Sequence, residues 1–344
     1  MVEKIRKSAS SVVNLSNAMV SLTNDVVCRV ALGRKYSDHG EDKKFNKFLR
    51  EFGELLGAKS FKDYIPRLGW IDRINGLDAK VERVAKQFDE FLEAVIQEHK
   101  NGKLKHDDGE LDFVDILLEF QKENENSSPV EDDTIKAIIL DMFVAGTDTT
   151  STSLEWTIAE LIKNPRAMKI LQNEVRRVAG NKKEIDEDDL DKMTYLKAVI
   201  KEALRLHAPV PLLVVRESTQ DTKVMGYDIK AGTQVMVNAW AIGRDPTLWE
   251  KPEEFRPERF LNSSIDFRGL HFELIPFGAG RRGCPGITFG MAVNEVGLAK
   301  LVHRFDFALP NGEREEDLDM SETCGITVHK KLPLQLVVTT TSHY

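Results

Sequence analysis

The chain has 344 residues, 41% of them hydrophobic and 30% charged, with a formal net charge of -8. That content supports a sizeable core, and an acidic balance with no predominantly basic segment argues against nucleic acid as the main partner. Cys28, Cys284 and Cys324 lie far apart, which gives no disulfide framework and suits a reducing compartment.

At the N-terminus, MVEKIRKSAS lacks the apolar centre of a signal peptide, and no apolar run of about 18 residues follows, so no transmembrane anchor is expected in this chain. Apolar residues at Val12, Val13, Leu15, Met19, Val20, Leu22, Val26, Val27 and Val30 predict a largely buried helix within 1–31. Helices are predicted next over Asp42–Leu56 and Gly76–Lys100. The linker FKDYIPRLGWID between them holds Phe61, Tyr64, Ile65 and Trp70. It reads either as a loop folded onto its own core or as a lid or membrane-touching patch. Polar stretches over 101–110 and 123–133 flank a short helix, Phe113–Phe120.

A long helix is predicted over Asp132–Lys163, closed by Asn164 and Pro165. Ile135, Ile138, Ile139, Met142 and Phe143 form its apolar stripe. The run AGTDTTST then interrupts it, at a propensity cost of roughly 1 kcal/mol for Gly146 alone. Either something other than helix stability selects these residues, or the helix is amphipathic here. A helix follows Pro165, and the acidic run EIDEDDLD reads as a solvated turn, because it lacks the glycine and alternating ligands of a calcium loop. In the helix Tyr195–His207, Glu202 and Arg205 stand on one side. Alone, they read as a surface ion pair worth a few tenths of a kcal/mol. Strands are predicted at Leu212–Val215, Val224–Ile229 and Gln234–Asn238, the last two joined through Lys230-Ala231-Gly232, with an irregular meander over 240–275 and hairpin strands within Met320–Thr340.

Between meander and tail lies PFGAGRRGCPG, Pro276–Gly286, followed by a predicted helix over Ile287–Phe305. Its glycines permit close backbone approach to a flat ligand. Cys284 at a helix start, with Pro285 in the first turn, favours a thiolate, the form that binds metal. Arg281 and Arg282 suit ligand carboxylates. The bland alternative is an inert thiol in a turn. Gly278, Gly280 and Gly283 also fit G-x-G-x-x-G, but no βαβ unit surrounds them, which argues against a dinucleotide loop. G-x-S-x-G, H-E-x-x-H and G-x-x-x-x-G-K-[ST] are absent.

Phe277, Gly280, Arg282, Cys284 and Gly286 fill the F-x-x-G-x-R-x-C-x-G pattern, and the chain resembles the cytochrome P-450 superfamily, the haem-thiolate monooxygenases. Three more signatures agree in order. Ala145, Gly146, Asp148, Thr149 and Thr150 match [AG]-G-x-[DE]-T-[ST], Glu202 and Arg205 match E-x-x-R, and Pro257, Arg259 and Phe260 match P-x-R-F. HAPVPLLVVRES and WAIGRDPTLWE are similar to plant microsomal members.

The resemblance implies a mainly α fold with a smaller β portion, one domain over 1–344 built on the central helix 132–163 and the cysteine loop and helix 276–305. It implies haem b held through the Cys284 thiolate, with Arg282, Arg216, Phe277 and Gly278 around the cofactor. Ala145 and Gly146 would leave room for dioxygen, and Asp148 and Thr149 would feed protons to it. Glu202, Arg205 and Arg259 would form one buried structural network, and Thr323–Ile326 falls where relatives place a pocket turn. The implied activity inserts one oxygen atom of O2 into an apolar small molecule of plant specialised metabolism, with electrons from an NADPH-dependent flavoprotein reductase.

Full-length members sit on the cytosolic face of the endoplasmic reticulum membrane. Beside them this chain is expected to lack the anchor, the Pro-rich hinge, the first sheet strands and the early helices, and so to be a truncated, cytosolic form. A non-catalytic haem-binding or inactive fragment is the alternative reading. Rearrangement of a substrate peroxide is the other, and Asp148 and Thr149 argue against it, since such enzymes need no proton relay.

Overall fold

The computed structural model describes residues 1–8, 11–35, 51–102, 111–125, 127–180, 182, 184–323 and 325–341. The helix expected over Asp42–Leu56 therefore lies outside the described residues up to position 50, and 51–56 are helical. The chain divides into two compact units, one made of Met1–Met19 with Thr149–Tyr344, the other of Val20–Asp148.

The first 31 residues are not one helix. Helix α1 (Val2–Lys7) is followed by strand β1 (Val12–Asn14) and helix α2 (Leu15–Leu32). The adjacent β-branched pair Val12 and Val13 favours an extended backbone, and it finds partners in Val337 and Leu336 at the far end of the chain.

In the smaller unit, helices α3 (Phe61–Tyr64) and α4 (Trp70–Ile74) occupy the apolar linker. Asp72, only 2% exposed, accepts from the amides of Lys62 and Phe61 and from Ser60 Oγ. The Lys62 amide chiefly, then the Phe61 amide and Ser60, hold its carboxyl below the ordinary aspartate value. Phe61, Tyr64, Ile65 and Trp70 stay exposed. The linker is thus organised by a buried carboxylate, and its apolar residues do not fold onto a core of their own.

Helix α5 (Leu77–Lys100) buries Val84, Phe88, Leu92, Val95, Ile96 and His99, a stripe at helical spacing. Helix α6 runs Phe113–Glu123, past the predicted end at Phe120, and Asp112 caps it in a reciprocal box with Asp115.

His99 joins these two helices. Its Nδ1 lies 2.7 Å from the Val95 carbonyl and its Nε2 2.8 Å from Asp112 Oδ2. A carbonyl and a capping carboxylate can only accept, so the ring donates from both nitrogens and is an imidazolium. His99, Asp112 and Asp115 have the chemistry of a metal set, but no ring lone pair remains for a metal. Burial, the largest influence, opposes the charge, yet Asp112 and Val95 outweigh it and raise the His99 pKa. The pair's stabilisation is complete below about pH 6.5 and is lost as pH rises through the raised value. Urea midpoints of the wild type and His99→Gln are expected to differ most in mild acid and to converge as pH rises. A gap that widens with pH would contradict the imidazolium.

Helix α7 (Asp132–Lys163) opens on Asp132 and Asp133, which favour its positive end. In the larger unit, helix α8 (Pro165–Ala179) starts on a proline, and the acidic run becomes helix α9 (Glu187–Asp191). That segment is not a fully solvated turn. Asp186 and Asp189 form a capping box, and the buried Asp189 carboxylate takes the Lys182 ammonium at 2.8 Å. Helix α10 (Thr194–Leu206) packs on α8, buried on nearly every side.

The β portion departs most from expectation. Leu212–Val215 is not a strand, since Leu213 turns at φ 51, and pairing begins at β2 (Arg216–Glu217). Val224–Ile229 folds back on itself as β3 (Thr222–Val224) and β4 (Tyr227–Ile229). Met225 and Gly226 make the turn at φ 49 and 89, the positive pair of a two-residue hairpin. Strand β5 (Gln234–Val235) pairs with β2 rather than with β4. It stops short of Asn238, which caps helix α11 (Ala239–Ile242). Helix α12 (Ile287–Arg304) packs on α8 and α10 and leads into β6 (Phe305–Ala308). Among the described residues of 320–340 only β7 (Gln335–Thr340) is a ladder strand, flanked by β1 and β6 in one antiparallel sheet. Glu322 and Lys330 form an isolated bridge.

Candidate active site

The cysteine loop is held from behind. Phe277 meets Phe267 edge-on at 5.6 Å, the Cys284 amide donates to the Phe277 carbonyl at 2.9 Å, and the Gly283 amide to the Gly280 carbonyl at 3.0 Å. Gly278 and Gly280 take φ of 71 and 73, a conformation that costs other residues strain. Helix α12 is capped by Gly286, so Cys284 and Pro285 precede the helix instead of lying in its first turn.

The Cys284 side chain is exposed. A Cβ on Gly286 would stand 3.8 Å from its sulfur, and one on Gly280 would meet nothing within 4 Å. One turn into α12, a Cβ on Gly290 would lie 3.7 Å from Thr150 Oγ1. The helix that starts beside the sulfur therefore meets α7 at Thr150.

Arg216 is half-buried and donates through Nη2 to the Arg282 carbonyl at 2.7 Å. It ties β2 to the cysteine loop and does not merely end a strand. Leu213 reaches the same loop, its Cδ1 3.9 Å from a Cβ position on Gly278. No local signal announces that contact. Leu212, Val214 and Val215 leave an exposed apolar edge beside it, and Arg281 and Arg282 are exposed.

Much of the polar run in α7 is buried. Thr147, Thr150, Ser151, Thr152, Ser153 and Thr157 are each less than 5% exposed. Thr147 and Thr157 return their hydroxyl hydrogens to the carbonyls of Phe143 and Ser153, which removes the cost of burying them. Ala145 is exposed, and Gly146, Asp148 and Thr149 are half-buried. Ala145, Gly146 and Asp148 belong to the smaller unit and Thr149 to the larger, along one continuous helix.

Glu202, Arg205 and Arg259 meet in one network. Arg205 grips the Glu202 carboxylate with two bonds of 2.8 Å, and Arg259 Nε adds a third at 2.9 Å. The Arg205 and Glu202 side chains are fully buried. Arg205 also donates to the carbonyls of Gly243, Pro252 and Glu254, and the Arg256 amide donates to Glu202. The surface-pair reading is therefore replaced by a buried cluster that fixes residues 243–259 on α10.

A soft sulfur donor, a glycine cradle open beside it, arginines and an apolar edge make a donor set that fits an iron porphyrin with its carboxylates. The fold that carries this loop is mainly helical with small sheets. The family model described as cytochrome P450 matches residues 1–337. The chain is 60% identical to "Cytochrome P450 71A6" of Nepeta racemosa, across 98% of this chain and 70% of that protein. It is 58% identical to "(+)-menthofuran synthase" of Mentha piperita, across 98% and 68%. A zebrafish cytochrome P450 solved with abiraterone superposes at a TM-score of 0.82 with 26% identity, covering 99% of this chain and 75% of that one. The chain belongs to the cytochrome P450 family, as an oxidoreductase of the monooxygenase type with a mainly helical fold and small sheets. It spans about two thirds of the length of these curated relatives. Among the described residues, no helix is long and apolar enough to cross a membrane.

Proposed function

We propose that this chain holds haem b through the Cys284 thiolate and inserts one atom of dioxygen into a small apolar plant metabolite, with electrons from an NADPH-dependent flavoprotein reductase. One observation carries the reading: the exposed Cys284 sulfur stands in a glycine cradle at the start of the helix that meets α7 at Thr150, the residue after Thr149. The bound haem would supply oxygen activation, with electron density pushed from the thiolate.

The chain's own residues supply the setting. Arg282, and the arms of Arg216 not engaged on the Arg282 carbonyl, would hold the carboxylates of the cofactor. Gly278 and Phe277 shape the floor, and Leu212, Val214 and Val215 present an apolar face to a substrate. Thr149 holds a proton at its hydroxyl and Asp148, its neighbour, exchanges protons with solvent. Ala145 and Gly146, about one turn earlier, keep the helix surface low there. Arg281 and Arg282 offer positive charge to an acidic reductase. The relative named (+)-menthofuran synthase favours a small-molecule product. The reduced, carbon-monoxide-bound spectrum of the expressed chain is expected to show the red-shifted Soret band of thiolate ligation. A chain folded by circular dichroism but without a haem band would overturn the reading.

A further inference from the structure

The face of α7 that begins at Thr149 continues through Thr152, Trp156 and Glu160, at steps of three and four residues. Each of the last three holds something distant in sequence. Thr152 Oγ1 lies 2.8 Å from His329 Nδ1, and Trp156 Nε1 donates to the Val328 carbonyl at 2.9 Å. Glu160 Oε1 lies 2.7 Å from His207 Nε2. The His207 ring stacks on Trp156 at 4.2 Å and 4°, and the Lys330 ammonium lies 5.3 Å from the indole centroid.

Trp156 is 1% exposed, and an indole that only filled space would not need so many directional partners. Lys330 is 6% exposed, and burial pushes its pKa down. The indole face and the Asp319 carbonyl compensate its charge.

The two segments gripped here are themselves joined, because the Val328 amide donates to the Pro209 carbonyl at 2.9 Å. From Pro209 the chain runs to Leu213 and Arg216, both set against the cysteine loop. Among its described residues, the strap from Glu322 to Lys330 closes on itself through the Glu322–Lys330 bridge and a bond of 2.9 Å from the Thr323 amide to the His329 carbonyl, and it has a tight tip, where a Cβ on Gly325 would meet the Thr327 carbonyl at 2.8 Å. Ile326 at that tip is 45% exposed. Such a strap takes its position from what grips it.

We propose that Trp156 is a positioning residue that fixes the 322–330 strap and the 208–216 segment against the Thr149 face of α7, and so decides which carbon of a bound substrate is oxidised. The first part stands on geometry alone, and the last clause rests on the proposed function.

Trp156→Phe keeps an aromatic stack and removes the N–H. Hydrogen exchange over 321–331, followed by mass spectrometry, is expected to quicken about tenfold, the worth of one buried hydrogen bond. The carbon-monoxide band should stay at wild-type amplitude while the ratio of hydroxylated limonene isomers changes. Should that variant not fold, Thr152→Val removes only the hydroxyl bonded to His329 and is read by the same exchange. Exchange at the wild-type rate would overturn the positioning role, and faster exchange with an unchanged isomer ratio would overturn the specificity. A wild type without the haem band would sink the proposed function, and the exchange result would still decide the first part.

Discussion

Replacing Cys284 by serine is expected to abolish the red-shifted carbon-monoxide band completely while leaving the chain folded. The separation of the two effects follows from how the loop is held. The sulfur is exposed, so its loss removes little buried surface. The loop depends on the Cys284 amide, the positive-φ glycines and the Phe277–Phe267 contact, none of which uses the sulfur. Serine keeps the backbone and the approximate volume but offers a hydroxyl that does not ionise near neutrality, in place of a soft thiolate. The measurement is the reduced difference spectrum beside a urea transition. A Cys284→Ser protein that keeps the band would remove Cys284 as the ligand. One that loses the band and also unfolds would show that the sulfur holds the loop together, against the geometry.

Glu202→Ala is expected to cost about 3–5 kcal/mol of stability, because it strands two guanidinium groups where there is little water. Arg205 would lose both bonds to the carboxylate and remain fully buried, and Arg259 would lose its Nε partner. Their remaining bonds run to backbone carbonyls of Gly243, Glu250, Lys251, Pro252 and Glu254. The whole 243–259 span should therefore loosen as one piece. A Cβ on Gly243 would collide with the Arg205 carbonyl, so at this position the span already lies against α10 as closely as only a glycine allows. Urea midpoints of the wild type and the variant give the number. A loss below about 1 kcal/mol would put the cluster among surface pairs.

Helix α7 has local signals at both ends, Asp132 and Asp133 at the start and Asn164-Pro165 at the stop, and such ends can be read without knowing the fold. The motif residues of the candidate site are legible in the same local way. The contacts that join them are not. Arg216 reaches a carbonyl in the cysteine loop, and Trp156 reaches Val328 in the tail, with no pattern in sequence to link either pair.

The strand bounds and pairings were hidden for a related reason. Val12 and Val13 also satisfy a helical stripe, and only their partners on β7 decide between the two. Met225-Gly226 lacks the Asn or Asp that usually marks a two-residue turn. Asp189 sits in a run of like charges where nothing distinguishes the buried cap from its solvated neighbours. In each case a tertiary partner overrides, or supplies, what local propensity leaves undecided.

The bond from Arg216 to the Arg282 carbonyl, with the Pro209 carbonyl held by the Val328 amide, sets a length constraint on the stretch between Pro209 and Arg216. Insertion or deletion of one residue there would pull the guanidinium off its acceptor two positions before Cys284. Exchange of Leu212, Val214 or Val215 for other apolar types would leave that anchor in place. Enzyme redesign along this edge therefore has a simple grammar: side chains are the vocabulary, and the spacing is fixed.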